Sequence, residues 1–497
     1  MVLGILAAMP SLAAGALVFF VSAAVLVLEI LAGRLLAPYV GVTLETYTGI
    51  IGVVLAGISV GTWYGGRLAD RLDPRRILGP MLVLGGALAL CTIPSIRLVG
   101  GTNLGAGPVA IVTLALVGFF APATVLSAVS PTVVKLQLGD LGQTGRVVGR
   151  LSALGTAGAI LGTFATGFLL VAALPTRPIV IAVGIVLIAV GLACWFLLGR
   201  RRGPSLLLPL MLAGVGGLLT IVSVSVCEHE SAYFCARVVA DPQRPSGRTL
   251  VLDTLRHSYV DLDDPTYLEF SYAQIMGDVI ASIAPSGEPL DVLHVGGGGF
   301  SLPRYIAATR PGSSSLVLEL DPTLVQIARD ELGLETGPDL RVRVGDARLG
   351  LRDQPDGAYD LVIGDAFGGQ AVPWHLATRE FTEGIRRTLR PGGTYAINLI
   401  DYPPLGFARA EAATLRAVFD HVAVIAPASR LDGQEGGNFV LVASDDPIDV
   451  EAIQSRNQER GDDDEVAASA RLDAFIGDAQ VLTDDFAPVD QLLTPAT

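Results

Sequence analysis

A bundle of about seven transmembrane helices followed by an α/β domain is the architecture this sequence predicts, and three observations predict it. Hydropathy is unevenly divided: the 497 residues are 51% hydrophobic, yet the long apolar segments stop near residue 226. Charge divides at the same place. Residues 1–226 carry 13 basic and 5 acidic side chains and residues 227–497 carry 21 basic and 43 acidic ones, so a net of +8 gives way to −22. From about residue 240, short apolar runs alternate with amphipathic helical stretches, the pattern of a doubly wound parallel sheet. Two domains follow, 1–226 and 227–497.

A bilayer-spanning helix needs about 20 apolar residues. Segments near 11–32, 45–66, 77–97, 107–128, 151–172, 178–198 and 205–226 meet that need. The first is too long, and its flank too poor in charge, for a cleaved signal peptide. Small residues crowd "LGTAGAILGTFATG" at 154–167, as expected where helices approach closely in lipid.

Three loops, "GGRLADRLDPRR" (65–76), "KLQLGDLGQTGRVVGR" (135–150) and "GRRRG" (199–203), hold 10 of the 13 basic residues. The positive-inside rule makes these loops cytoplasmic. The other loops and ends hold only Arg34, Arg97 and Arg177. The 65–76 loop also resembles the short basic loop between the second and third helices of major facilitator transporters. Glu29 is the one acid inside a predicted span, which makes it a functional candidate; with Arg34 close by, a structural ion pair or snorkelling is the expectation. A lipid bilayer is thus one partner. The acidic second half argues against nucleic acid, which needs basic grooves, and is compatible with a cationic ligand.

In the second half, "LDVLHVG" (290–296) reads as a strand, followed by a glycine turn and a helix through Thr309. "SLVLELD" (315–321), "LRVRVGDA" (340–347) and "YDLVIGDAF" (359–367) read as the next three strands, and 388–400, 421–428 and 438–444 supply later ones. Gly296, Gly297, Gly298 and Gly299 end the first strand, Glu319 and Asp321 the second, Asp346 the third and Asp365 the fourth. In an open parallel sheet those carboxyl ends line one crevice, where ligands bind. Glycines let backbone N–H groups approach a ligand, and an acid about 20 residues on can accept both ribose hydroxyls. The turn is not G-x-G-x-x-G, and the Gly-Asp after the third strand suits an adenine amino group, so an S-adenosyl nucleoside is favoured over NAD.

The stretches "RTLVLDTLRHSYVDLDDPTYLEFSYAQIM" (248–276), "VGGGGF", "LELD", "GDA", "DAF" and "RPGG" resemble the spermidine synthases (polyamine aminopropyltransferases) and, more widely, class I methyltransferases. The membrane half, with "LEILAGRLLAPYVG" (28–41), and the closing "LTDDFAPVD" (482–490) look like the membrane-fused members of that family. The resemblance implies a Rossmann-like class I methyltransferase/spermidine synthase domain. It makes Glu319 the ribose ligand, Asp346 and Ala347 the adenine contacts, Tyr272 a wall of the amine pocket and Asp365 the proton acceptor. The implied donor is decarboxylated S-adenosylmethionine or S-adenosylmethionine, attacked by an amine that a carboxylate orients and deprotonates. That chemistry needs no metal, and no His/Cys cluster exists to hold one; His257 and His294 read as structural.

Several family positions differ. The acid of the family turn G-G-G-D-G is Gly299 here, and the second acid of its D-x-x-D-P is Gly368. Its glutamine near the domain start is Phe234, and the residue after the pocket tyrosine is Ala273. The nucleoside half of the motif set is kept, while most of the amine-recognising half is changed. Three functions are weighed: an aminopropyl transferase acting on an amine such as putrescine, a methyltransferase with another acceptor, and a non-catalytic nucleoside-binding regulator or transport protein. A homodimer is compatible with each. Seven spans would place the second domain outside the cell, against the cytoplasmic supply of S-adenosyl donors. Cys227 and Cys235 are close enough for a short-loop disulfide, with two unpaired thiols as the alternative.

Overall fold

The computed structural model describes residues 9–102, 104–105, 107–138, 141–198, 205–223, 225–369 and 371–494. They divide into two compact units, Met1–Cys235 and Ala236–Thr497.

Among the described residues of the first unit, six helices are long and apolar enough to cross a membrane: α1 (Ser11–Val40), α2 (Leu44–Arg71), α3 (Pro74–Gly100), α4 (Pro108–Gln137), α5 (Thr144–Ala173) and α6 (Thr176–Leu198). α4 and α5 each contain a π-helical turn, Leu116–Phe120 and Thr166–Leu170. The small residues at 154–167 serve close packing. A Cβ at Gly158 would lie 2.1 Å from the Phe19 carbonyl oxygen and one at Gly162 2.7 Å from that of Ala23, so α5 can lie on α1 only with glycine there.

The seventh expected span departs from the rest. α7 (Leu207–Val222) has 16 residues, about 24 Å at helical rise, against a hydrocarbon core of about 30 Å. It packs along α3, where Thr220 donates to the Leu90 carbonyl at 2.7 Å. The chain after it reaches the end of the bundle where α1 finishes and α6 starts: Glu230 accepts from the Thr176 backbone N–H at 3.0 Å and pairs with Arg34 at 3.0 Å. This corrects the expected Glu29–Arg34 pair, because the Arg34 guanidinium is drawn to a carboxylate from a distant part of the sequence. Cys227 and Cys235 form a disulfide, deciding between the two alternatives. The basic loop 199–203 lies outside the described residues.

The second unit begins with an antiparallel meander, β1 (Cys235–Ala240), β2 (Gly247–Leu252) and β3 (Leu255–Asp261). Eight strands then form one sheet. In chain order they are β4 (Asp291–Val295), β5 (Ser314–Glu319), β6 (Leu340–Val344), β7 (Tyr359–Gly364), β8 (Leu389–Asp401), β9 (His421–Pro427), β10 (Gly437–Ser444) and β11 (Asp464–Ala468). Their spatial order is β11-β9-β10-β8-β7-β4-β5-β6, with β6 through β8 parallel and the last three antiparallel. The central parallel strands are covered on both faces, which is why β4 reads Val-Leu-His-Val with almost no exposure. The chain winds from β4 one way to β6, then restarts at β7 on the other side. The switch therefore falls between β4 and β7, where Val295 pairs with Gly364, the position at which open α/β sheets bind their ligands.

One core group is unexplained by packing. Glu411, on the helix Gly406–Arg416, has no exposure, and neither carboxylate oxygen has a hydrogen-bond partner. Burial pushes its pKa well above the usual carboxylate range. An acid whose folded pKa is raised costs stability as pH rises above its unfolded value, because the unfolded chain then releases a proton that the fold retains. Glu411→Leu is therefore expected to stabilise this unit by about 1–3 kcal/mol near neutral pH, with a smaller gain near pH 4.5. Thermal unfolding at the two pH values checks it; an equal or opposite change would remove the unsatisfied-acid explanation.

Candidate active site

The crevice is built from strand ends. Gly296 leaves β4 with φ +95°, and a Cβ there would sit 2.5 Å from the Asp365 carbonyl oxygen. Only glycine allows both, so the turn and the end of β7 lie against each other. The Asp365 N–H donates to the Val295 carbonyl at 2.9 Å. The turn closes when the Phe300 N–H donates to the Gly297 carbonyl at 2.7 Å, and Phe300 itself is left-handed (φ +59°) and fully buried. The helix Ser301–Thr309 follows, as the sequence pattern predicts.

Glu319, at the end of β5, faces the turn. Its carboxylate accepts from the N–H groups of Gly297 at 2.8 Å, Gly298 at 3.4 Å and Asp321 at 2.8 Å. Burial raises its pKa, and these three bonds hold it down. Asp346 ends the loop after β6, where the Gly345 N–H donates to the Glu319 carbonyl at 2.8 Å. One Asp346 oxygen caps the helix Ala347–Arg352 through the Leu349 N–H at 2.9 Å, and the other lies 3.2 Å from His375 Nε2. Ala347 is buried beside it.

Asp365 is the centre of a polar chain. Its Oδ1 accepts from Asn398 Nδ2 at 2.9 Å, and Asn398 Oδ1 accepts in turn from Asn438 Nδ2 at 2.9 Å. Its Oδ2 lies 3.4 Å from the Tyr272 hydroxyl, the donor. Burial pushes the Asp365 pKa up to about 6, with the Asn398 and Tyr272 bonds pulling the other way. The Tyr272 hydroxyl is held well above its ordinary value by burial and by the Asp365 charge. His257, pushed down to about 4 by burial, hydrogen-bonds Gly369 and lies edge-on to Phe367, tying β3 to the loop after Asp365. His294 is buried in β4 with Nε2 3.3 Å from Ser315 Oγ.

The structure thus brings the glycine turn, Glu319, Asp365 and Tyr272 to one crevice and puts Asp346 and Ala347 at the next strand end beyond Glu319. Asn398 and Asn438 were not singled out from the sequence. Each is a polar residue on an apolar strand, and that break in pattern was the available signal. Ser258 is the other omission. Its Oγ accepts from the Gly299 N–H at 2.9 Å, and a Cβ at residue 299 would lie 2.7 Å from Ser258 Cβ. The second altered family position differs. A Cβ on Gly368 would meet nothing nearer than Pro373 Cγ at 3.8 Å. Gly368→Asp is therefore expected to leave the unfolding temperature nearly unchanged, whereas Gly299→Asp should cost about 1–3 kcal/mol of stability through overpacking. Thermal melts of the two variants compare them directly, and equal losses would show that Ser258 yields freely.

A parallel sheet with its glycine turn and acids at the switch point defines this unit as a Rossmann-like α/β domain. No protein-family model matches the chain. It is 34% identical over 145 residues to a polyamine aminopropyltransferase of Vibrio vulnificus, covering 28% of this chain and 47% of that protein. It is 32% identical over 294 residues to polyamine aminopropyltransferase 2 of Streptomyces coelicolor, covering 55% of this chain and 52% of that one. The chain spans about half the length of these curated relatives. A solved structure from Corynebacterium glutamicum, described as a probable spermidine synthase, matches with 29% identity and a TM-score of 0.49, over 55% of this chain and all of that one. Over the aligned stretches, the chain is similar to these polyamine aminopropyltransferases.

Proposed function

We propose that this protein is a membrane-anchored transferase moving an aminopropyl group from decarboxylated S-adenosylmethionine to an amine of the polyamine class. The observation that carries the reading is Asp365, a carboxylate with pKa about 6 at the switch point, packed against the glycine turn and hydrogen-bonded to Tyr272 and Asn398. In this reading the turn and Glu319 hold the nucleoside, and Asp346 with Ala347 receives the adenine. Asp365 orients the incoming amine and takes its proton as nitrogen displaces the sulfonium. The Asn398–Asn438 pair keeps one Asp365 oxygen occupied, leaving the Tyr272 side to face the amine. In the family pattern the acid at the Gly299 position binds the aminopropyl ammonium of the donor, so its loss weakens the hold on the donor's charged tail. The change at Gly368 removes a second negative charge from the amine-recognising half of the motif set.

The membrane anchor would be residues 1–226, carried by the six long apolar helices, and the shorter α7 would be a seventh crossing only with local thinning of the bilayer. The Cys227–Cys235 disulfide and the loop charges support placement of the second domain, 227–497, on the outer face, since such bonds persist in oxidising compartments. A reporter fused after Thr497 tests the side.

The decisive assay incubates the purified full chain with decarboxylated S-adenosylmethionine or S-adenosylmethionine and a panel of amines, and measures product mass. A three-carbon amine added to an acceptor is the expected result. A one-carbon addition would make the protein a methyltransferase, and donor binding without any product would make it a nucleoside-binding regulator.

A further inference from the structure

Glu29, the one acid inside an expected span, is used neither by the packing of the bundle nor by the proposed chemistry. It lies 18 residues after Ser11 and 11 before Val40, about 16 Å from the nearer end of α1 at helical rise. It is half-buried. Arg34 is paired with Glu230 instead, and among the described residues no charged side chain partners Glu29. A lone carboxylate at that depth of a bilayer is costly unless it meets a cation or a proton.

A cavity of about 340 Å³ lies between α1, α2, α4 and α5, and its described lining carries no charge. Six hydroxyls face it: Ser22, Thr62, Ser127, Ser130, Ser152 and Thr156. Thr62 donates back to the Ile58 carbonyl at 2.8 Å, the usual fate of a hydroxyl on an apolar helix, as for Thr124 on Phe120 at 2.7 Å. Among the described residues the other five have no side-chain hydrogen bond, so they are available to a ligand. Val18, Ser22 and Val25 bring α1 to the cavity, and the same stripe continues in a step of four residues to Glu29. Helical side chains lean toward the N-terminus, so the Glu29 carboxylate leans back over the turn that carries Val25 and Leu26. The opposing helix is irregular at this level. Gly158 meets Phe19 and Gly162 meets Ala23, an offset of 139 residues that sets Glu29 level with residue 168, inside the π-helical turn Thr166–Leu170. Such turns are frequent at functional sites.

We propose that this cavity binds a protonated aliphatic amine, its ammonium held by Glu29 and the cavity hydroxyls and its carbon chain by the apolar wall. An ammonium offers three donors and no acceptor, which suits a carboxylate with hydroxyl oxygens around it. The volume is that of a small organic ligand rather than a bare ion, and Val21, Leu26 and Ile58 supply the apolar surface. The inference rests on the membrane-spanning part of the proposed reading and not on its transfer chemistry.

The test uses the full chain in neutral detergent, in the Asp365→Asn form so that the crevice carboxylate does not compete for amine. Calorimetric binding of n-butylammonium chloride is compared with that of n-butanol and of sodium chloride. Saturable binding of the ammonium alone is expected. E29Q should weaken it about tenfold or more, the scale of one charge-assisted hydrogen bond, and S127A/S130A should weaken it a few-fold. E45Q, altered in an acid of the first turn of α2, should bind like its parent. If E29Q does not purify folded, S127A/S130A carries the comparison. Equal binding of n-butanol or of sodium chloride, no binding of the ammonium, or binding undiminished in the cavity variants overturns the proposal. Alkaline extraction of membranes checks the spanning reading separately: a released chain would remove that reading and this inference with it, whereas a retained chain that binds no ammonium would remove this inference alone.

Discussion

Asp365→Asn is expected to lower turnover by roughly 10²–10⁴-fold while donor binding persists. The substitution keeps the local hydrogen bonds: the amide oxygen still accepts from Asn398, at the position where the carboxylate accepts at 2.9 Å, and the amide NH₂ can donate to the Tyr272 hydroxyl. What is lost is the ability to accept a proton from the attacking amine. The pH profile separates this from a positioning effect. With the Asp365 pKa near 6, the active form is the deprotonated one, so kcat/KM should fall as pH drops through about 6 in the parent. Any residual activity of the Asn variant should lack that inflection. A variant that turns over like the parent would sink the assignment of Asp365 as base and with it the displacement mechanism.

Glu319→Ala is expected to weaken binding of the S-adenosyl donor by about 2–4 kcal/mol, the scale of a lost charge-assisted pair. The structure adds detail to that expectation. A carboxylate offers about four acceptor positions, and Glu319 uses them on Gly297, Gly298 and Asp321. To take both ribose hydroxyls it must release one of these, and the Gly298 contact, the longest at 3.4 Å, is the one to yield. Glu319→Gln retains the shape and loses the charge, so it should bind more tightly than the Ala variant and less tightly than the parent. Calorimetry on folded protein distinguishes them. Unchanged affinity in Glu319→Ala would falsify the ribose role.

Local pattern carried much of this molecule. Apolar length and loop charge mark a first half whose helices are long and apolar enough to cross a membrane, because a helix in hydrocarbon must be apolar along its own length. Strand alternation, glycine and acids at successive strand ends mark the α/β sheet and its crevice, because the carboxyl ends of parallel strands share one edge. Those features are set by residues adjacent in sequence. Only the tertiary structure decided which distant groups meet. Arg34 pairs with Glu230 rather than Glu29, Ser258 fills the space beside Gly299, and Asn398 and Asn438 line up behind Asp365. Three arginines from separate helix ends line one cavity. Such contacts depend on strand order and helix packing, so periodicity along the chain is silent about them. The same holds for Glu411, which reads as an ordinary polar position on an amphipathic helix until the sheet and its neighbours close over it.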